Sequence, residues 1–163
     1  MPRAARRGSI AGSRPRGPVI ARPNSTIRST NWSANGAPTI HQCLSEAVPD
    51  DGATYAQCGT ADTLEVGLSA IPTPSNRSAH LVRIRAARSA GTATFSSVQL
   101  RDGATVIATI PMTYGADNAY ATTTYGLTSA EAGDITNYAD LRIVATVNNL
   151  ASNIRITHME LQV

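Results

Sequence analysis

The pattern of apolar and polar positions changes period twice in the last third of the chain. From Leu141 the alternation is strict. Leu141, Ile143, Ala145 and Val147 share one face while Arg142, Val144 and Thr146 take the other, the two-residue period of a β-strand. Just upstream, Thr128 and Glu131 stand as Thr-x-x-Glu, a capping box in which the hydroxyl accepts the N3 amide and the carboxylate returns to the cap amide. This predicts a helical turn or two, stopped by Gly133 or Asn137, with Leu127 at the staple position. A one-turn helix feeding a long strand is a crossover over the end of a sheet.

The two-residue period recurs through the rest of the chain. Along residues 80–88, Val82, Ile84 and Ala86 take one face and Arg83 and Arg85 the other. Residues 64–68, 92–100, 105–110, 120–125 and 154–163 read as further strands. Asp102-Gly103 predicts a two-residue hairpin of type I′, and Pro49-Asp50-Asp51-Gly52 a turn. In the last strand the apolar parity slips from Ile154 and Ile156 to Met159, Leu161 and Val163, which predicts a bulge near Thr157-His158. Residues 31–58 read as a long irregular stretch holding the one Trp, Trp32, as a core plug. Seven or eight short strands at roughly ten-residue spacing predict an all-β chain, an antiparallel jelly-roll or β-sandwich with one short crossover helix.

Charge then divides the chain. All fourteen basic residues are Arg, and the first twenty-eight residues hold Arg3, Arg6, Arg7, Arg14, Arg16, Arg22 and Arg28 with no acid. The remainder carries seven Arg against eleven acids, so an arm of +7 precedes a body of −4. Pro2, Pro15, Pro18 and Pro23 with Gly8, Gly12 and Gly17 forbid a helix in the arm and leave it little to bury. The division is therefore an extended Arg/Pro/Gly-rich N-terminal arm over residues 1–30 and a sandwich domain over residues 31–163. The arm lacks the apolar run of a signal peptide, and nothing approaches eighteen consecutive apolar residues, so no membrane span is expected.

Catalytic chemistry is sparse. His41, His80 and His158 have no nucleophile signature beside them, and no Gly-x-Ser-x-Gly, P-loop or dinucleotide fingerprint occurs. His41, Cys43 and Cys58 offer three zinc ligands without a fourth. Asp50, Asp51 and Asp62 read as turn carboxylates before they read as a calcium site. No metal and no cofactor is expected. Cys43 and Cys58 enclose a loop of about fifteen residues, where a disulfide would stabilise by roughly 3 kcal/mol in the chain-entropy model; the alternative is two ordinary buried thiols.

The stretches Leu100-Arg-Asp-Gly-Ala-Thr-Val-Ile-Ala-Thr and Leu127-Thr-Ser-Ala-Glu-Ala-Gly-Asp-Ile-Thr-Asn-Tyr-Ala-Asp-Leu-Arg-Ile carry a likeness. The chain resembles small jelly-roll structural proteins of tailed bacteriophages, most of all capsid decoration (cement) proteins, over residues 31–163 and most strongly over 79–163. The resemblance implies a non-enzymatic virion protein on the capsid exterior, assembled in the bacterial host cytoplasm. It further implies a homo-trimer seated on the major capsid protein, with an arm reaching over neighbouring subunits. On that reading Arg3, Arg6, Arg7, Arg14, Arg16, Arg22 and Arg28 make the polar arm contacts, and Ile20 and Ile27 are apolar anchors. An alternative is a carbohydrate-binding or tail-associated adhesion jelly-roll module. It needs an exposed aromatic platform, for which Tyr114 and Tyr120 are available. Nucleic-acid binding through the arm leaves the acidic body without a purpose and is not expected.

Overall fold

Strands form where the alternation runs, and in several places where it does not. The computed structural model describes residues 17–90, 93–148 and 152–163, among which there are eleven strands and two short helices. In chain order the strands are β1 (Ile20–Ala21), β2 (Pro23–Arg28), β3 (Trp32–Asn35), β4 (Tyr55–Cys58), β5 (Asp62–Leu68) and β6 (Leu81–Arg88), followed by β7 (Phe95–Asp102), β8 (Thr105–Thr109), β9 (Ala121–Gly126), β10 (Leu141–Val147) and β11 (Ile154–Gln162). Helix α1 (Ile40–Leu44) lies between β3 and β4, and α2 (Ser129–Asp134) between β9 and β10. No helix among the described residues is long and apolar enough to cross a membrane.

Two antiparallel sheets make the sandwich. The larger runs β3-β4-β11-β6-β9 with β1 added beside β11, and the smaller runs β2-β5-β10-β7-β8. Between them, Leu64, Val66, Val98, Leu100, Leu141 and Ile143 from one sheet join Val82, Ile84, Ile154, Ile156, Met159 and Leu161 from the other in one buried cluster. Aliphatic burial of this kind contributes roughly 25 cal/mol per Å², and with so few aromatics it dominates the core. Trp32 is buried in the same cluster.

Helix α2 carries the chain from the larger sheet to the smaller one. Its capping box is complete: Glu131 N donates to Thr128 Oγ1 at 3.2 Å, and Thr128 N donates to Glu131 Oε2 at 2.7 Å. The helix stops at Asp134, between the two predicted stops. Asp102 decides this from the neighbouring hairpin, where its Oδ2 accepts from Thr136 N, Thr136 Oγ1 and Asn137 N at 2.7–2.9 Å. These bonds draw the chain out straight as Ile135 enters the core.

The β7–β8 hairpin has Gly103 and Ala104 as its turn residues, with Asp102 paired to Thr105. Only Gly103 has a positive φ, +56°. That makes the turn type II′, with Gly first, instead of the I′ expected from Asp-Gly. In β11 the register shifts between Ile156 and His158, so the predicted bulge is present.

The structure corrects the reading of residues 19–58 in two respects, and of the two readings of the cysteines it has the buried thiols. Residues 20–28 are strands of the body: β1 pairs with β11, β2 pairs with β5, and Val19 exchanges both backbone hydrogen bonds with Val163. They satisfy edge amides of two sheets, which needs no apolar stripe, so the boundary at residue 30 falls inside the sandwich. The stretch taken as irregular holds β3, α1 and β4, with α1 packed against β2, β3, β4 and β11. Cys43 and Cys58 are buried free thiols. Cys43 Sγ donates to Asn35 O at 3.5 Å, while Cys58 pairs with Trp32 at the other end of the β3–β4 ladder. Three residues of strand span about 10 Å, too far for a disulfide.

Candidate functional site

The bulge in β11 determines what the outer face of the larger sheet presents. Without an extra residue, the parity of Ile154 and Ile156 would turn Met159 and Leu161 outward. Thr157 absorbs the slip by donating its hydroxyl to Thr54 O at 2.9 Å. Arg155, His158, Glu160 and Gln162 therefore share the outer face. Beside them, Arg83 and Arg85 project from β6, opposite Glu160 and His158 in register, and Thr122 and Thr124 from β9. Tyr55 and Gln57 supply the β4 side of the same surface.

Two arginine–aromatic pairs lie at one end of this face. The Arg155 guanidinium stands 5.2 Å from the Tyr55 ring centre, and that of Arg85 stands 5.9 Å from the Tyr120 ring centre. Such contacts hold a planar cation against a ring at about 0.5–1 kcal/mol when exposed and more when desolvated. The predicted turn at residues 49–52 folds over the pair. Asp51 adopts a left-handed φ of 55° and takes Arg85 in a two-pronged bond, Nε to Oδ1 and Nη2 to Oδ2, both 2.5 Å. The hydrogen bonds from Arg85 hold the Asp51 carboxyl below its ordinary range. Burial pushes the Tyr120 phenol up to about 12, against the lowering effect of the Arg155 charge, so it stays a protonated donor. The Tyr120 hydroxyl and Arg155 Nε are both shielded and without a hydrogen-bond partner among the described residues.

At the other end of the face is a compact ionic network. Glu160 is buried and takes Arg83 Nη1 at 2.8 Å and Arg22 Nη2 at 3.1 Å, with His158 Nε2 at 3.4 Å. Arg83 also donates to Gln162 Oε1 at 2.9 Å. Burial lowers the His158 pKa and the Glu160 charge opposes it. A buried carboxylate with two guanidiniums and an imidazole is a fixed structural knot, whereas the Tyr55–Arg155–Tyr120 end is still short of partners.

The residues singled out from the sequence fall in different places. Arg3, Arg6, Arg7, Arg14 and Arg16 lie outside the described residues. Arg22 is spent within its own chain on Glu160, because β1 brings it over β11. Ile20 and Ile27 are exposed on β1 and β2, and Arg28 is exposed at the end of β2. Of the two aromatic candidates, Tyr120 belongs to the face described above. Tyr114 does not: its ring stacks on Phe95 at 6.2 Å, Arg88 lies over it, and its hydroxyl accepts from Phe95 N at 2.6 Å.

The proposed metal ligands also separate. His41 bonds the Thr26 and Thr39 hydroxyls, Asp50 accepts from Thr54, and Asp62 accepts from Asn31 N. No group of three or more His, Cys, Asp or Glu among the described residues is placed to hold a metal ion. Sequence reasoning misses Tyr55, Arg85 and Arg155 as site residues and reads Asp51 as a turn carboxylate. The outward parity of Arg155 was visible once the bulge was placed, but its approach to Tyr55 depends on β4 pairing beside β11, which no local pattern encodes.

No family model matches the chain, and no curated protein matches it. Solved structures with a similar fold do exist. The CBM36-1 domain of a multidomain xylanase from the hindgut metagenome of Trinervitermes trinervoides superposes with a TM-score of 0.51 at 12% identity, covering 89% of this chain and 96% of that one. A carbohydrate-binding module CBM36 in complex with calcium and xylotriose gives 0.48 at 15% identity over 89% and 97%. At such identities the likeness is one of fold. It carries the jelly-roll part of the resemblance drawn from the sequence, and not its capsid part.

Proposed function

We propose that this chain is a non-catalytic carbohydrate-binding jelly-roll module, and that it reads glycan on the outer face of the larger sheet. The observation that carries this is the convergence of Tyr55, Tyr120, Arg85 and Arg155 on one partly exposed surface. Sugars present apolar C–H faces beside dense hydroxyls. They suit ring surfaces flanked by planar donors, acceptor carboxylates and hydroxyls, here Asp51 and Thr122, which shares Arg85 at 3.0 Å. The fold similarity to the CBM36-1 domain supports the reading as a precedent of architecture.

Affinity electrophoresis against a panel of plant, bacterial and algal polysaccharides tests it. At least one polymer is expected to retard the protein, with Tyr120→Ala abolishing the retardation while the far-ultraviolet circular dichroism stays unchanged. No retardation by any polymer would overturn the proposal.

A second reading, capsid decoration through the N-terminal segment, draws on Val19, Ile20 and Ile27. These aliphatic side chains remain 37–47% exposed on the segment that enters both sheets. It requires sedimentation of the protein with phage particles, weakened by Ile20→Ser with Ile27→Ser and indifferent to Tyr120→Ala. Failure of the protein to sediment with particles would overturn this reading.

A further inference from the structure

Within the carbohydrate-binding reading, on which this inference rests, we infer that the ligand is an acidic glycan whose uronate carboxylate is read by Arg155. The arginines on the outer face of the larger sheet are matched by carboxylates with one exception among the described residues. Arg22 and Arg83 share Glu160, and Arg85 is held by Asp51. Arg155 has no carboxylate partner among the described residues; its contact is the ring of Tyr55. A guanidinium set on a ring, its Nε shielded and its two Nη groups without a carboxylate, is a planar fork oriented without being neutralised.

The chemistry that answers this arrangement is narrow. A carboxylate is a planar acceptor with two oxygens and takes a guanidinium fork in two parallel bonds. Sugar hydroxyls satisfy one donor at a time and bring no charge. Tyr120 lies close enough to Arg155 for the cation to act on its ionisation, which places its ring, with the hydroxyl shielded, beside the fork. Asp51, fixed on Arg85, and Asp50 both act on Tyr120 and limit how much negative charge the site accepts. One carboxylate per sugar residue, as in a polyuronate, suits a site with one free cation better than a multiply sulfated ring.

The test compares polygalacturonate with the same polymer after its carboxyls are reduced to primary alcohols, by isothermal titration with the full chain. The wild-type protein is expected to bind the acid form at least tenfold more tightly. Arg155→Gln is expected to erase that preference, and Arg155→Lys to keep part of it, since the charge survives and the fork does not. Loss of the preference on neutralising one of fourteen Arg distinguishes a site from general attraction to a basic protein.

Equal affinity for the acid and reduced polymers would overturn the inference, as would an Arg155→Gln protein that keeps the preference. Tighter binding to a sulfated polymer than to the polyuronate would do the same. Binding confined to neutral polymers would overturn the inference and leave the carbohydrate-binding reading standing. Binding to no polysaccharide would overturn both.

Discussion

Arg22 and Glu160, 138 residues apart in the chain, meet at 3.1 Å on the outer face of the larger sheet. The bond ties the N-terminal segment to the C-terminal strand, just where β1 hands the chain over to β2 in the other sheet. It turns a stretch with the composition of a loose arm into part of the closure of the sandwich.

Truncation follows from this bond. Deleting residues 1–28 removes β1, β2 and Arg22, which exposes the edge of β5 and leaves Glu160 with one fewer cation. The expected outcome is a sharply lowered or non-cooperative thermal melt. Deleting residues 1–16 removes none of those pairings, and the melt should match the full chain. Equal melting of both truncated proteins and the full chain would show that strands β1 and β2 contribute nothing to stability.

The capping box gives a local test. Thr128→Ala orphans Glu131 N and frees the Glu131 carboxylate from the cap, at a cost of about 1 kcal/mol. For a chain of this size that corresponds to a melting temperature lower by about 2–4 °C. Thr128→Ser keeps the acceptor and should recover most of the loss, as read by differential scanning calorimetry.

The cysteines should behave as buried thiols. Burial raises the pKa of both Cys43 and Cys58, which keeps them protonated and slow to react. Alkylation of the native protein should be slow at pH 7, and two equivalents should react promptly in denaturant. Mass spectrometry under non-reducing conditions should show no two-proton deficit. Such a deficit would establish the disulfide that the strand geometry argues against.

Acid sensitivity should arise from His80, with His158, whose pKa burial also lowers, adding to it in the same direction. The ring is fully buried, Nε2 lies 2.8 Å from the Tyr138 hydroxyl, and burial pushes the pKa below the ordinary value. The unfolded chain takes up a proton near pH 6.5, while the folded chain refuses it until lower pH. More protons are bound unfolded than folded in that window, so stability is full above about pH 6.5 and falls as pH drops toward the folded pKa. Urea melts between pH 7.5 and 5 should show this slope. In His80→Gln the slope should be reduced, even though stability at pH 7.5 is lower for lack of the ring.

How much of this was legible depends on the range of the forces involved. The alternation of Val82, Ile84 and Ala86 against Arg83 and Arg85, the Thr128–Glu131 box and the parity slip at Thr157-His158 all express rules that act within a few residues. Each was readable from the chain and is present in the structure. The sandwich class follows from the same rules, since many short half-buried strands have few other ways to hide one face each.

What only the tertiary structure decided concerns partners chosen across the sheets. Residues 20–28 carry no apolar period, and they become strands because β11 and β5 offer unpaired edge amides. Arg22 reads as one more cation of a basic arm until β1 sets it over Glu160. Tyr55 and Arg155 meet because β4 pairs beside β11, and Asp51 reaches Arg85 because a turn folds over that pair. Local sequence determines which face of a strand is apolar, but the free energy that selects a strand's neighbour is shared by two distant segments. That choice places the candidate site, and it is made only when the two sheets close.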